Sequence, residues 1–331
     1  MNAEELPMIL FTVIGQMSVG SIWILGLIHI YGYAKKLKPE TIDRITNAAM
    51  YAAGPLLVLG FFAAFFHLGD PFHALNTLRH VGSSWMSREI ASGVLYGAVG
   101  LFFAACQWMG WFSRAVREVL AALTALAGLL LVITMAGTYY SVETIPAWHN
   151  ASVWIFFFCS AILTGSLAVG LALMVTWNMQ AKRDAGSQST WAKKLRLISD
   201  EPLTGELTAF TTKSLQGISL AAALAGVVIL VTYPIYLGWL ATGEQAAQDV
   251  AHEMQGPVLT TRLILLATVV VLTGVFAFMR ARTADKPNRA LAWIIGIAFV
   301  LAVVSELLGR GLHYEGLWHV GLNTTQYLLG Q

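Results

Sequence analysis

Charge is what this chain has least of. Only 11% of its 331 residues are Asp, Glu, Lys or Arg, against about 25% in an ordinary soluble domain. In their place, 57% of residues are hydrophobic and the mean hydropathy is +0.66. So few charges cannot cover the water-facing surface of a chain this long, and the composition is that of a membrane protein. Cysteine is scarce too. The only two, Cys106 and Cys159, lie inside apolar runs, which excludes a disulfide framework and a thiolate metal site. A formal net charge of +2, with the basic residues spread through short loops, excludes nucleic acid as a partner. No basic segment precedes the first apolar run and no small-residue cleavage site follows it, so the first helix is expected to be retained.

What is present is apolar length. Runs of about 20 residues cross a bilayer, and they fall at 6–34, 44–68, 89–110, 115–140, 150–178, 207–240, 258–281 and 289–312. The expectation is an all-α, polytopic bundle of eight transmembrane helices, forming one integral membrane domain over residues 1–331. Pro55 and Pro234 fall inside the second and sixth runs, where neighbouring helices can satisfy the freed carbonyls, so they are expected to kink a helix rather than end it. Gly93, Gly97 and Gly100 are spaced for close helix contact. Orientation follows from Lys and Arg. Fifteen of the twenty sit in or beside the connections at 35–44, 114–117, 182–196 and 280–289. Those loops are therefore cytoplasmic and both termini lie outside. The longest of them, 179–206, containing "QAKRDAGSQSTWAKKLRLISDEP", reads as a partly ordered polar connector.

The remaining ionisable groups gather at the opposite edge. The stretch "FFHLGDPFHALNTLRHVGSSWMSREIASG" at 65–93 holds His67, His73, Arg79, His80, Arg88 and Glu89. Glu143, Arg262, Glu306 and Arg310 reach the same edge from other spans. A charge within a membrane segment costs about 2.5–3.5 kcal/mol on insertion scales and so tends to face protein or water and to mark function. Glu306 and Arg310, four residues apart, share a helical face, so a plain ion pair tying the helix end competes with a functional role. His73 and His80 read as solvated groups on a short surface helix, whereas His67 precedes a Gly-Asp-Pro turn that limits water access. Trp85 and Met86 read as an exposed apolar pair on a loop, suited to a partner's footprint. Span centres are nearly uncharged; Gln16, Tyr96 and Thr134 are the polar residues left there. Of the eight histidines only His29 lies in the inner half, so paired midmembrane haem ligands are missing. The chain is expected to carry no haem and no metal and to pass electrons to something bound beside it.

Four stretches carry a resemblance: "ELPMILFTVIGQ" at 5–16, "HLGDPFHALNTLRHVGSSWMSREIASG" at 67–93, "VETIPAW" at 142–148 and "ELLGRGLHY" at 306–314. Together they make the chain similar to the membrane-anchor subunit of the bacterial dimethyl sulfoxide reductase family, over nearly its full length. The resemblance implies an eight-helix anchor in the bacterial inner membrane. Such an anchor oxidises menaquinol in anaerobic respiration and holds a four-cluster iron–sulfur subunit and a molybdopterin catalytic subunit, here on the periplasmic side. It also implies quinol-site roles for His67 of the "HLG-P" motif and Glu89 of the "EIASG" motif. Arg79, Arg262, Glu306, Arg310 and Tyr314 are candidates to line the quinol pocket.

That pairing makes chemical sense on its own terms. Oxidising a quinol releases two electrons and two protons, and an imidazole is a base whose pKa lies near working pH. His67 is the candidate first acceptor. Glu89 would take the proton onward, and either Arg79 or Arg310 could hold it charged. Three rivals remain. Related sulfite-oxidising complexes run the same architecture in reverse, reducing quinone. A secondary transporter would place its substrate at the midplane between repeated, broken helices, neither of which is visible here. A purely structural anchor would fail to bind quinone analogues.

Overall fold

The computed structural model of the chain describes residues 6–65, 71–187, 190–317 and 320. Among them the chain is all helix, with no strand. The long helices are α1 (Leu6–Ala34), α2 (Pro39–Phe65), α3 (Trp85–Met109), α4 (Arg114–Tyr140), α5 (Ser152–Asp184), α7 (Gly205–Ala241), α9 (Pro257–Val271) and α11 (Arg289–Glu315). Shorter pieces connect them: a 3-10 helix at Pro71–His80, α6 (Thr190–Lys194) and α8 (Gln245–Met254). A π-helical turn, Leu272–Ala277, carries α9 into α10 (Phe278–Thr283).

Short polar residues set the starts. The side chains of Ser84, Ser113, Thr204 and Asn288 accept from the backbone N–H groups of Ser87, Val116, Leu207 and Leu291, satisfying donors that the first turn leaves orphaned. Gly110, at φ +72°, closes α3 in the left-handed conformation, as glycine permits. Pro55 and Pro234 do lie inside helices, α2 and α7.

Seven of these helices, with α9 and α10 counted as one, are long and apolar enough to cross a membrane. The remaining expected run, 44–68, is helical over residues 44–65 within α2, where Ala49–Gly60 forms a shorter apolar stretch. Its first turns carry charge. Asp43 pairs with Arg114 at 3.0 Å and Arg44 with Glu201 at 2.9 Å, so the helix starts among charges.

Helix α1 packs on α2 and α5, α3 on α4, α5 on α7, and α9 on α11. The tightest approach is between α1 and α5. A Cβ on Gly20 would lie 1.8 Å from the Ala161 carbonyl oxygen, and one on Gly165 would lie 2.3 Å from the Gly20 carbonyl carbon. Backbone meets backbone there, as small residues allow in lipid. Of the expected glycines of α3, Gly100 comes less close: a Cβ there would sit 3.3 Å from the Thr124 methyl.

The two ends differ. At the basic end, residues 199–201 are tied to α5 by Gln180, whose side-chain nitrogen donates to the carbonyls of Ser199 and Glu201 at 3.2 and 3.0 Å. Lys193, 2.8 Å from Asp200, holds that exposed carboxyl below its usual range. At the other end, the 141–151 connection is tied to α7 and α11: Tyr236 donates to the Ala147 carbonyl at 3.0 Å and Trp148 to the His313 carbonyl at 2.7 Å.

Candidate functional site

That second end is where the buried charges meet. On α11, Glu306, Gly309, Arg310 and His313 recur every three or four residues and so share one face. All of that face is turned into the bundle.

Arg262 comes from α9, which starts sharply at Pro257 in its first turn, a position where the missing N–H costs nothing. Its Nη2 donates to Glu306 Oε1 at 3.3 Å, and both side chains are only 4% exposed. The guanidinium lies 4.6 Å from the Tyr233 ring centroid and 5.9 Å from that of Phe156, while Ser305 donates to the Arg262 carbonyl at 3.2 Å. Gly309 makes the room: a Cβ there would stand 1.9 Å from Arg262 Cζ. Gly309→Ala is therefore expected to push the guanidinium off Glu306 and destabilise the subunit by about 1–3 kcal/mol, as overpacking does. The thermal midpoint of the assembled complex reads this, with Gly26→Ala as control, since a Cβ on Gly26 meets nothing within 4 Å. Equal midpoints for the two variants would mean that the guanidinium yields freely.

Arg310 reaches the other way. Its Nη2 donates to Gln16 Oε1 of α1 at 3.0 Å, and its guanidinium lies 3.8 Å from the Phe157 centroid. Glu306 and Arg310 thus do not form the intrahelical pair that their spacing allows. Each side chain is buried against a different neighbour and finds its partner across a helix interface, Glu306 on α9 and Arg310 on α1.

Glu89 lies in the second turn of α3, five residues after the Ser84 cap, and is buried. Its carboxyl lies beside the Thr138 hydroxyl of α4 and within the field of Arg310. Of the two arginines considered for Glu89, Arg310 is the one brought near. Arg79 stands exposed on the 3-10 helix. Tyr314 joins the cluster through its hydroxyl, 2.8 Å from that of Tyr139. His67 lies outside the described residues. Trp85 and Met86 begin α3 rather than sitting on a loop. Met86 is 55% exposed, but Trp85 is half-buried with its ring filling the space beside Gly137 and the Arg88 guanidinium 4.7 Å above it.

Other members were not legible beforehand. His313 sits in an aromatic box, its ring centroid 4.7 Å from Tyr139, 5.6 Å from Trp148, 5.7 Å from Phe157 and 5.4 Å from Tyr314. Gln16 gave one signal, an amide inside an apolar run. The aromatics gave none, since they also fill spans as plain packing. Four buried polar atoms here have no hydrogen-bond partner among the described residues: Gln16 Nε2, Arg262 Nε, Arg310 Nε and His313 Nε2. The cavity beside Arg262, Glu306, Arg310 and His313 is about 20 Å³, room for one water but not for a ring. Chemically, the arrangement is a buried carboxyl, Glu89, backed by a fixed cation, with a second cation neutralised by Glu306. No group of three or more His, Cys, Asp or Glu side chains that could hold a metal forms among the described residues.

Comparison with known proteins places these features in a lineage. Residues 1–317 match the family described as "DMSO reductase anchor subunit (DmsC)". The sequence is 28% identical over 319 residues to one of the chains of the anaerobic dimethyl sulfoxide reductase of Escherichia coli strain K12, covering 96% of this protein and 97% of that one. It is likewise 28% identical over 312 residues to the equivalent chain of the anaerobic dimethyl sulfoxide reductase of Haemophilus influenzae, covering 94% of each. A shorter likeness, 27% over 132 residues, links 37% of this protein to 40% of a sulfite dehydrogenase subunit of Allochromatium vinosum.

Proposed function

Because this chain belongs to the DMSO reductase anchor subunit (DmsC) family, we propose that it oxidises menaquinol at the bundle end where Glu89 and Arg310 converge and passes the electrons to an iron–sulfur subunit docked over that end. A molybdopterin subunit beyond it would perform the terminal reduction. The chain itself would work as a single eight-span domain in the bacterial inner membrane, with α2 as the eighth span. The basic loops would lie in the cytoplasm and both termini and the partners on the periplasmic side.

The observation that carries this reading is the burial of the Glu89 carboxyl, beside Thr138 and within the field of Arg310, at the end remote from the basic loops. Quinol gives up two electrons and two protons. His67 takes the first proton, Glu89 passes it toward outer water, and Arg310 keeps negative charge at Glu89 tolerable. Arg262 and Glu306 hold α9 against α11 and so keep Arg310 and His313 in place. Reverse flow, with quinone reduced, is favoured by one observation, the partial likeness to a sulfite dehydrogenase subunit, and would use the same residues in the opposite order.

Glu89→Gln tests the reading, since the amide keeps the shape and hydrogen bonds but takes no proton. Quinol-linked turnover should fall about tenfold, less than the loss of a first proton acceptor produces, and its pH profile should lose a limb. Turnover with a dye that reduces the iron–sulfur subunit directly should persist. A variant with the rate and pH profile of the wild type would remove Glu89 from the proton route.

A further inference from the structure

A second cavity lies at the opposite, basic end, between α1, α2, α3 and α4, with a volume of about 520 Å³. That is within the roughly 300–1,000 Å³ of small-molecule sites. Its wall is apolar, formed by residues such as Ile22, Leu25, Phe103, Ala121 and Leu126. Ile30 and Leu126 line it and are also 66% and 61% exposed, so in a membrane it opens sideways into hydrocarbon.

The polar groups of this cavity offer both kinds of hydrogen bond. His29 Nε2 lies 2.9 Å from Thr46 Oγ1, and the Thr46 hydroxyl donates to the Ile42 carbonyl at 3.1 Å. Thr46 is thus the acceptor for His29, which assigns the ring proton to Nε2 and leaves Nδ1 as an acceptor. Gln107 Nε2 donates to Asn47 Oδ1 at 3.1 Å, which leaves Asn47 with an amide donor to offer and Gln107 with a carbonyl acceptor.

Formal charge at the mouth sums to zero, Arg114 and Arg117 against Asp43 and Glu118. Arg114 donates to Asp43 at 3.0 and 3.2 Å and to Glu118 at 2.8 Å. Arg117 donates to the carbonyls of Trp111 and Phe112 at 3.4 and 3.0 Å. A lipid phosphate would have to pull Arg114 from two carboxylates. A neutral, flat ring with paired oxygens and an apolar tail asks for nothing of the kind.

We infer that this cavity is a second, non-redox binding site for a neutral isoprenoid quinone or quinol, its ring beside His29, Asn47 and Gln107 and its tail leaving between Ile30 and Leu126. Electrons do not leave from it. His29 is thirteen residues along α1 from Gln16, about 20 Å at 1.5 Å per residue, most of a hydrocarbon core away from the Arg310 end. The inference is independent of the function proposed for that end.

Photolabelling tests it, using an azido derivative of an isoprenoid quinone on the assembled complex in phospholipid nanodiscs, with mapping of the labelled peptides. The expected result is label in 22–30 and 121–126. Gly26→Phe projects a ring into open space and should cut that label by more than about tenfold, the equivalent of 1.4 kcal/mol of binding. Asn47→Ala, which removes the amide without filling the cavity, should weaken it less. Label absent from both segments in the wild type, label that survives Gly26→Phe, or displacement by phosphatidylglycerol as effective as by unlabelled quinone would each overturn the inference. Label missing only around Glu89 and 306–314 would instead overturn the function proposed for that end, and would leave this cavity a quinone site.

Discussion

Replacing His67 by Ala is expected to lower quinol-linked turnover by about 10²–10⁴-fold, the usual worth of a general base. The complex should still assemble and still accept electrons from an artificial dye at the iron–sulfur subunit. Quinol must lose a proton from each hydroxyl as it is oxidised. Water at a sparsely hydrated membrane edge is a poor acceptor, and two other titratable groups gathered there are committed. Glu306 is bound to Arg262 at 3.3 Å. His313 is enclosed by the rings of Tyr139, Trp148, Phe157 and Tyr314, and the buried Glu89 is the second acceptor in the proposed route. An imidazole with a pKa near working pH is the group that fits a first acceptor. The measurement is a pair of assays on one preparation, quinol-linked and dye-linked. Quinol turnover within a few-fold of wild type, in fully assembled complex, would mean that the first proton goes elsewhere.

Arg262→Ala is expected to remove the subunit from the membrane almost entirely, because it strands a carboxylate. Glu306 is 4% exposed in its side chain and Arg262 is its partner. Removing one member of such a buried pair costs about 3–5 kcal/mol, since the other charge stays desolvated with nothing to offset it. That is a large part of the roughly 5–15 kcal/mol that holds a typical domain folded. The double variant Arg262→Met with Glu306→Leu should recover much of the lost subunit, because two apolar groups of similar length leave no unpaired charge behind. Membrane abundance and thermal midpoint of the single and double variants separate these effects through their non-additivity. If Arg262→Ala accumulates normally, or if the double variant is no better than the single, the ion pair is not what keeps α9 on α11.

The helices were the legible part of this protein. The first apolar run, 6–34, coincides with α1 at Leu6–Ala34, and 115–140 lies one residue inside α4 at Arg114–Tyr140. Apolar length is a local property, fixed by bilayer thickness and the rise of a helix, so it survives in a linear string. Convergence of Glu89, Arg262, Glu306 and Arg310 on one end was legible for the same reason, since successive spans crossing one bilayer bring alternate connections to the same side.

Pairing was not legible. The i,i+4 spacing of Glu306 and Arg310 allows an ion pair along α11, yet the two side chains reach α9 and α1 instead. Spacing reports only which groups share a face, and the face of α11 is covered by three other helices whose positions depend on contacts elsewhere. One of these is the meeting of Gly20 and Gly165 at van der Waals limits, which no single glycine announces. Gln16, an isolated amide in an apolar run, becomes the partner of Arg310 only because α1 lies beside α11 at that depth. The amino-acid sequence by itself determined the membrane class, the helices and the edge at which charge collects, because each follows from hydropathy summed over neighbours in the chain. Only the tertiary structure decided which arginine neutralises Glu306, that the field of Arg310 rather than of Arg79 acts on Glu89, and that α1–α4 enclose a cavity around His29. Those depend on distances between residues as far apart as the 294 positions between Gln16 and Arg310, and only packing sets such distances.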